Sequence, residues 1–158
     1  MKEKKVASKN RYYPKDAWKL PENKLNIIVG CNPAGIALAE KLSSEGEKVL
    51  LTDRDFNAVN TVPAISGLDT FCGNMSVPGM ALEAGINEAG RLIAVSGDDN
   101  ANIMAAQVAK YVFEIPSVIV LINDSTLKHL LEKTGIEYLT LTDLIIKGFD
   151  NLVNHDEE

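Results

Sequence analysis

From Leu25 onward, short apolar runs alternate with longer stretches that carry one apolar face. The runs are Leu25–Val29, Lys48–Thr52, Leu68–Cys72, Arg91–Ser96, Ser117–Ile122 and Ile136–Leu141. Several are apolar at consecutive positions, the pattern of strands buried on both faces between helix layers. Helical spacing predicts helices over Ala34–Glu45, Val77–Ala84, Asn100–Phe113 and Ser125–Thr134, with a last one from Leu144 to about Val153. Ser76, either Asp98 or Asp99, and Asp124 are placed to accept hydrogen bonds from free amides at helix starts, while Gly46 and Gly135 stand where helices stop. The stretch Asp55–Ser66, broken by Pro63 and three β-branched residues, predicts one short helix and a loop. Strand, helix, strand repeated with short connections requires right-handed crossovers and therefore a parallel sheet covered on both faces.

The first strand and helix meet in "NIIVGCNPAGIALAEKL", residues 26–42, with Gly30 and Gly35 at the spacing of the outer glycines of a dinucleotide-binding turn. Context supports that reading: the motif follows a strand, opens a helix, and Asp53, 18 residues past Gly35, ends the next strand where a carboxylate accepts hydrogen bonds from an adenosine ribose. The alternative role for Asp53, capping the next helix, suits Asp55 better. Gly30 permits the tight turn and Gly35 lets the helix pack close to the strand. Asn32 stands where a middle glycine lets backbone approach a pyrophosphate, and asparagine tolerates the positive φ expected there. Pro33 supplies no N–H but suits helix initiation. The expectation is a turn, Gly30-Cys31-Asn32-Pro33-Ala34-Gly35, that still offers helix N-terminal amides to phosphate with a weakened preference for a diphosphate bridge, which sets AMP or ADP beside NAD or NADH as ligands. The fold class is a three-layer, Rossmann-type, doubly wound parallel sheet of strand order 3-2-1-4-5-6.

Residues 72–110, "CGNMSVPGMALEAGINEAGRLIAVSGDDNANIMAAQVAK", carry more specific signals. A strand ends in Gly73 and Asn74; Leu82, Ala84, Gly85, Ile86 and Ala89 follow; after a further strand Asp98, Asp99 and Asn102 open a helix that ends in Ala109 and Lys110. This resembles the N-terminal domain of the RCK family, the regulatory subunits of Trk and Ktr potassium uptake systems and the cytoplasmic gating domains of potassium channels. "VLLTDRD" and "NDSTLKHLLEKTGIEYL" are similar to further parts of that domain, and the resemblance spans 122 of 158 residues, from about Asn26 to Lys147. It implies a domain that senses a nucleotide and transmits its presence to a membrane pore. By position, it implies a phosphate loop from Gly30 to Gly35, a ribose acid at Asp53 with Arg54 beside it, and an adenine side lined by Asn74 and Met75 next to Gly73. Ser96, Gly97 and Asp98 close the pocket near the second half of the ligand. The resemblance also implies a homo-oligomer, a dimer or ring of dimers, acting on a potassium channel or transporter subunit. Three departures stand out: Pro33 where family loops often carry arginine, which removes a phosphate contact and disfavours ATP, and Asn74 and Gly90 where acids are common. The C-terminal ligand-sensing lobe that usually follows has no counterpart, so the chain reads as a fragment or as a lone sensing module.

Composition changes this picture in three places. The length of 158 residues fits one domain, and no apolar stretch approaches the roughly 20 residues that span a bilayer. A basic N-terminus without an apolar segment behind it does not suggest secretion, so the expected location is cytoplasmic, with peripheral placement at the inner face of the membrane through a transporter. The net charge of −6 divides into +5 over residues 1–25, read as a basic, aromatic leader or linker, and −11 over the remainder, which argues against nucleic acid as a partner. The domain is expected over residues 26–153, with an acidic tail at 154–158.

Cys31 and Cys72 fall at the ends of strands one and three, too far apart for a disulfide across an intervening strand, and are read as free, buried thiols. Catalytic signals are poor: His129 lies within a helical pattern, His155 in the tail, and no metal-ligand spacing or Walker loop occurs. Asp98 and Asp99 are open to two readings, helix-start acids or ligands of a divalent cation. The chain is read as a non-enzyme, the alternatives being an NAD(P)-dependent oxidoreductase fragment or an interaction module with a degenerate nucleotide site.

Overall fold

Because β1 (Leu25–Val29) is apolar at consecutive positions, it can be buried on both sides, and it occupies the middle of the sheet. The computed structural model describes residues 20 and 24–154; the leader, apart from Leu20, Lys24 and Leu25, and the tail beyond Asn154 lie outside the described residues. β2 (Lys48–Asp53), β3 (Leu68–Cys72), β4 (Ala89–Ala94), β5 (Ser117–Ile122) and β6 (Glu137–Thr140) complete a six-stranded sheet of order 3-2-1-4-5-6, with all neighbours parallel. This is the expected Rossmann-type topology. Its order reverses between β1 and β4, and a crevice opens outside the strand ends at such a point.

Alternate residues of the inner strands serve different layers. Ile27, Leu50 and Leu92 pack with α3 (Pro78–Glu83) and α4 (Asp99–Gln107) through Ala81, Ile103 and Ala106. Ile28, Leu51 and Ile93 face the other way, against Ala39 and Leu42 of α1 (Pro33–Ser44) and the edge of α2 (Phe56–Asn60). Each fully buried Leu or Ile contributes about 1.5–3 kcal/mol relative to exposure, so the two-faced runs account for most of the driving force for the three layers.

At the opposite end of the sheet from the crevice, the β1–β4 register skips one residue at Gly90. A Cβ at Gly90 would lie 2.9 Å from the Lys24 side chain and 3.1 Å from that of Leu20, so any side chain there would have to displace those two neighbours. The adjoining Arg91 is buried in β4. Its guanidinium donates to Asn26 Oδ1 at 3.2 Å and Ser117 Oγ at 3.4 Å. Burial lowers its pKa while Glu47 and Glu137 act to raise it.

Four local expectations are corrected. Ser76 does not cap α3: Pro78 fixes the first helical position, so Val77 takes the cap place, and the Ser76 amide and hydroxyl both donate to Asn74 Oδ1. The single helix expected over Asn100–Phe113 is α4 followed by a wider π-type turn at Val108–Val112, which ends at Glu114 with φ 53° and delivers Ile115 to the core. The helix expected over Ser125–Thr134 is a 3-10 helix over Ser125–Leu130. Thr126 donating to Asp124, and a 2.6 Å contact between His129 Nδ1 and the Thr126 carbonyl, compete with α-helical bonding, and Lys133 at φ 62° halts it. Finally, the last helix, α5 (Leu141–Val153), starts three residues early because Thr140 Oγ1 accepts the Asp143 amide.

No residue of α5 is buried, and its apolar side chains face outward, Phe149 at 65% exposure and Leu152 at 70%. No helix among the described residues is long and apolar enough to cross a membrane.

Candidate functional site

The crevice at the C-terminal ends of β1 to β4 is built on two glycines. Gly30 leaves β1 at φ 120°, and a Cβ there would stand 2.7 Å from the Ser96 amide nitrogen; one on Gly35 would stand 1.8 Å from the Gly30 carbonyl oxygen. The first glycine lets the turn lie against the end of β4, and the second lets α1 begin directly on the turn. Both fill the roles expected of them.

Asn32 behaves differently from expectation. Its backbone is extended, at φ −94° and ψ 174°, so the positive φ lies at Gly30 instead. Its side chain caps α1, with Oδ1 accepting the Gly35 amide at 2.9 Å, and Nδ2 donates to the Val95 carbonyl at 2.7 Å. One amide group thereby ties the turn to both α1 and the end of β4. The consequence for the loop is a shortage of donors. The Gly30 amide is bonded to Thr52 O, Cys31 to Asp53 Oδ2, Gly35 to Asn32 Oδ1 and Ile36 to Asn32 O, and Pro33 has none. The amides of Asn32 and Ala34 have no hydrogen bond among the described residues.

Asp53 ends β2 with one carboxylate oxygen accepting the Cys31 amide and the other the Asp55 amide, both at 2.9 Å. A carboxylate has about four lone-pair sites, so roughly two remain for further donors such as a vicinal diol. Asp55, not Asp53, caps α2. On the far wall, Asp98 caps α4 through the Ala101 amide and meets the Arg54 guanidinium at 3.0 Å, across the crevice. The Ala101 amide lowers its pKa most, burial opposes that effect, and the Arg54 guanidinium lowers it further, so the carboxyl stays below the usual range. Asp99 turns elsewhere, accepting from the Asn123 amide and side chain and from the Asp124 amide. The two acids therefore divide into a cap and a brace. Among the described residues no group of three or more His, Cys, Asp or Glu side chains is placed to hold a metal ion.

A cleft of about 290 Å³ results. Of the residues singled out from the sequence, Gly30, Asp53, Arg54, Gly73, Asn74, Met75, Ser96, Gly97 and Asp98 line it, whereas Cys31, Asn32, Pro33, Ala34 and Gly35 form the turn beside it. Val29, Ala101 and Ala105 also line it and were missed; the signal available was the pair of alanines one helical turn apart on α4. Also missed was the role of Asn102. Fully buried, it accepts from the Ser96 amide and hydroxyl and donates to the carbonyls of Ser96 and Leu121, so it fixes the Ser96-Gly97-Asp98 wall between α4 and β5.

The two cysteines differ, contrary to the expectation that both are buried. Cys31 is buried under the turn, and burial first, then the Asp53 carboxylate and Cys72, push its thiol from 9.0 up to about 11. Cys72, at the end of the edge strand β3, is exposed. A thiol reagent at pH 8 is expected to titrate one cysteine promptly and the second only in denaturant; equal rates would contradict this assignment. Because the folded state holds the Cys31 proton more tightly than the unfolded chain, this group's contribution to stability is lost as pH rises from about 9 towards 11.

Comparison with known proteins follows the same outline. Residues 26–142 match the TrkA-N domain family model. The chain is 36% identical over 110 residues to the Trk system potassium uptake protein TrkA of Streptomyces coelicolor, covering 70% of this chain and 49% of that protein. It is 33% identical over 93 residues to the protein of the same name from Halomonas elongata, covering 59% of this chain and 20% of that one. The chain thus spans about half the length, or less, of these relatives. Among solved structures, GsuK bound to ADP superposes with a TM-score of 0.69 at 22% identity, covering 86% of this chain and 35% of that one. The GsuK channel bound to NAD gives 0.64 at 16% identity, covering 85% and 24%. At those identities the likeness is one of fold.

Proposed function

The chain belongs to the TrkA-N domain family, and on that premise we propose that it is a nucleotide-sensing regulatory domain of a potassium transport system. Its ligand is an adenine nucleotide, drawn from AMP, ADP, NAD and NADH, seated in the cleft at the sheet's reversal point. The observation that carries this reading is Asp53: a carboxylate at the end of β2, lining the cleft, fixed by two backbone amides and with acceptor capacity left for a ribose diol. The ADP and NAD complexes of the GsuK neighbours support it by analogy.

Regulation requires a second body to move. The exposed apolar face of α5 supports a homo-oligomer, a dimer or ring of dimers, whereas α4 spends Ile103, Ala105 and Ala106 on the sheet. The membrane partner on this reading is a potassium channel or transporter subunit, which would hold the domain at the cytoplasmic face. Ligand binding favours one arrangement of paired domains and so biases the pore, a population shift in which no bond is made or broken. His129, whose ring contacts the Thr126 carbonyl, does not line the cleft.

The test is calorimetric titration with AMP, ADP, ATP, NAD and NADH, with light scattering on each mixture. Saturable micromolar binding with a change in assembly is the expected result. Asp53→Ala removes a charged acceptor, an interaction of about 1.5–3 kcal/mol, and should weaken the bound nucleotide roughly ten- to a hundredfold. Unchanged affinity places the nucleotide elsewhere, and silence with every nucleotide leaves an interaction module on this scaffold.

A further inference from the structure

Resting on the adenine-nucleotide reading of the cleft, we infer that Asn32 makes the site selective for a nucleoside monophosphate over ligands that carry a diphosphate. Three observations converge on this. The first is donor supply. A diphosphate bridge is held where the turn's backbone approaches it closely and several amides point at it. Here the Asn32 side chain occupies that approach, spanning from the Gly35 amide to the Val95 carbonyl, and it consumes the Gly35 amide itself. Two free amides remain, Asn32 and Ala34, enough for one phosphate and too few for two.

The second is charge. Among the residues lining the cleft, Asp53 and Asp98 are acids and Arg54 is the one base, already paired with Asp98. The turn from Gly30 to Gly35 carries no lysine or arginine. No phosphate charge meets an unpaired cation in that lining, so the penalty grows with each added charge and disfavours ADP and ATP relative to AMP, while the donor argument disfavours NAD despite its lower net charge. The third is size. At about 290 Å³ the cleft sits at the lower bound of small-molecule sites, roughly 300 Å³, and a dinucleotide has about twice the bulk of a mononucleotide.

The experiment compares the wild-type chain with Asn32→Gly and Asn32→Ser by calorimetry against AMP, ADP and NAD. Position 32 has an ordinary extended backbone, so glycine fits there, and serine keeps a capping oxygen while being too short to reach Val95. The wild type is expected to bind AMP at least tenfold more tightly than ADP or NAD. Asn32→Gly should close the gap for NAD by about tenfold, with Asn32→Ser between the two. Should glycine fail to fold, the serine variant alone decides. Wild-type binding of NAD or ADP as tight as AMP overturns the inference while leaving the adenine site standing, and so does an unchanged preference in both variants. No heat with any ligand in any of the three proteins overturns the adenine-site reading and this inference with it.

Discussion

Gly35→Ala is expected to lower stability by about 3 kcal/mol or more, at the upper end of overpacking costs, because the added methyl meets rigid backbone. The new carbon would lie 1.8 Å from the Gly30 carbonyl oxygen, which is itself fixed by the strand it ends, so α1 has to lift from β1. That movement takes Ala39 and Leu42 out of the layer they share with Ile28 and Leu51. Urea unfolding measures it. The control is Gly148→Ala in the exposed α5, where nothing lies within 4 Å of the new carbon; it should stabilise by roughly 0.5–1 kcal/mol from helix propensity. A Gly35→Ala protein as stable as the wild type would show that α1 does not sit on the turn as described.

Asn102→Leu is the second large effect, and its origin is polar. The leucine keeps the same branched skeleton but is bulkier and apolar, and it strands the Ser96 amide and the carbonyls of Ser96 and Leu121. Each orphaned buried group costs about 1–3 kcal/mol, so a total near 3–5 kcal/mol is expected, less whatever water recovers. Asn102→Asp should be less harmful to the Ser96 amide and hydroxyl, which still find an acceptor, and more harmful to the two carbonyls, which not only lose their donor, as with leucine, but also face a carboxylate oxygen. Thermal melts of both variants, read beside nucleotide titrations, separate the two consequences: the unfolding midpoint falls in each, and the wall formed by Ser96, Gly97 and Asp98 loses its shape. A leucine variant with the wild-type midpoint would refute the clamp.

Sheet order and the layers were legible because each rests on a strong local signal. Runs such as Ile27-Ile28 and Leu50-Leu51 allow burial on both faces only in a parallel sheet between helices, and short connections leave few topologies. The meeting of Gly30, Asp53, Asn74 and Asp98 around one cleft followed from that topology, since all lie at or just beyond strand ends on the same side. What could not be read depended on side-chain competition. Asp98 and Asp99 are equivalent in sequence, and only the position of the Asn123 loop decides which caps and which braces. Asn32 suggested tolerance of positive φ, whereas its amide found two partners that favoured extended backbone, one of them 63 residues away. Cys72, read as a buried thiol at a strand end, is exposed because β3 is an edge strand, a position that one strand's own residues do not reveal. The periodicity of α5 marks an apolar face and says nothing of what covers it.

The hydrogen bond from Asn32 to Val95, 63 positions apart, also has a kinetic meaning. One half of the sheet, β1 to β3, is built from near neighbours in sequence, and so is the other, β4 to β6; only the β1–β4 seam joins distant parts. Closing so long a loop is entropically costly, so the seam belongs late in folding, after each half has gained local structure. The cleft straddles that seam and exists only once it has closed. A ligand held there has nothing to grip in the separated halves, so it should slow unfolding while leaving the refolding rate nearly unchanged. The lifetime of the folded chain, rather than the speed at which it forms, would then rise with the concentration of any ligand that binds the cleft.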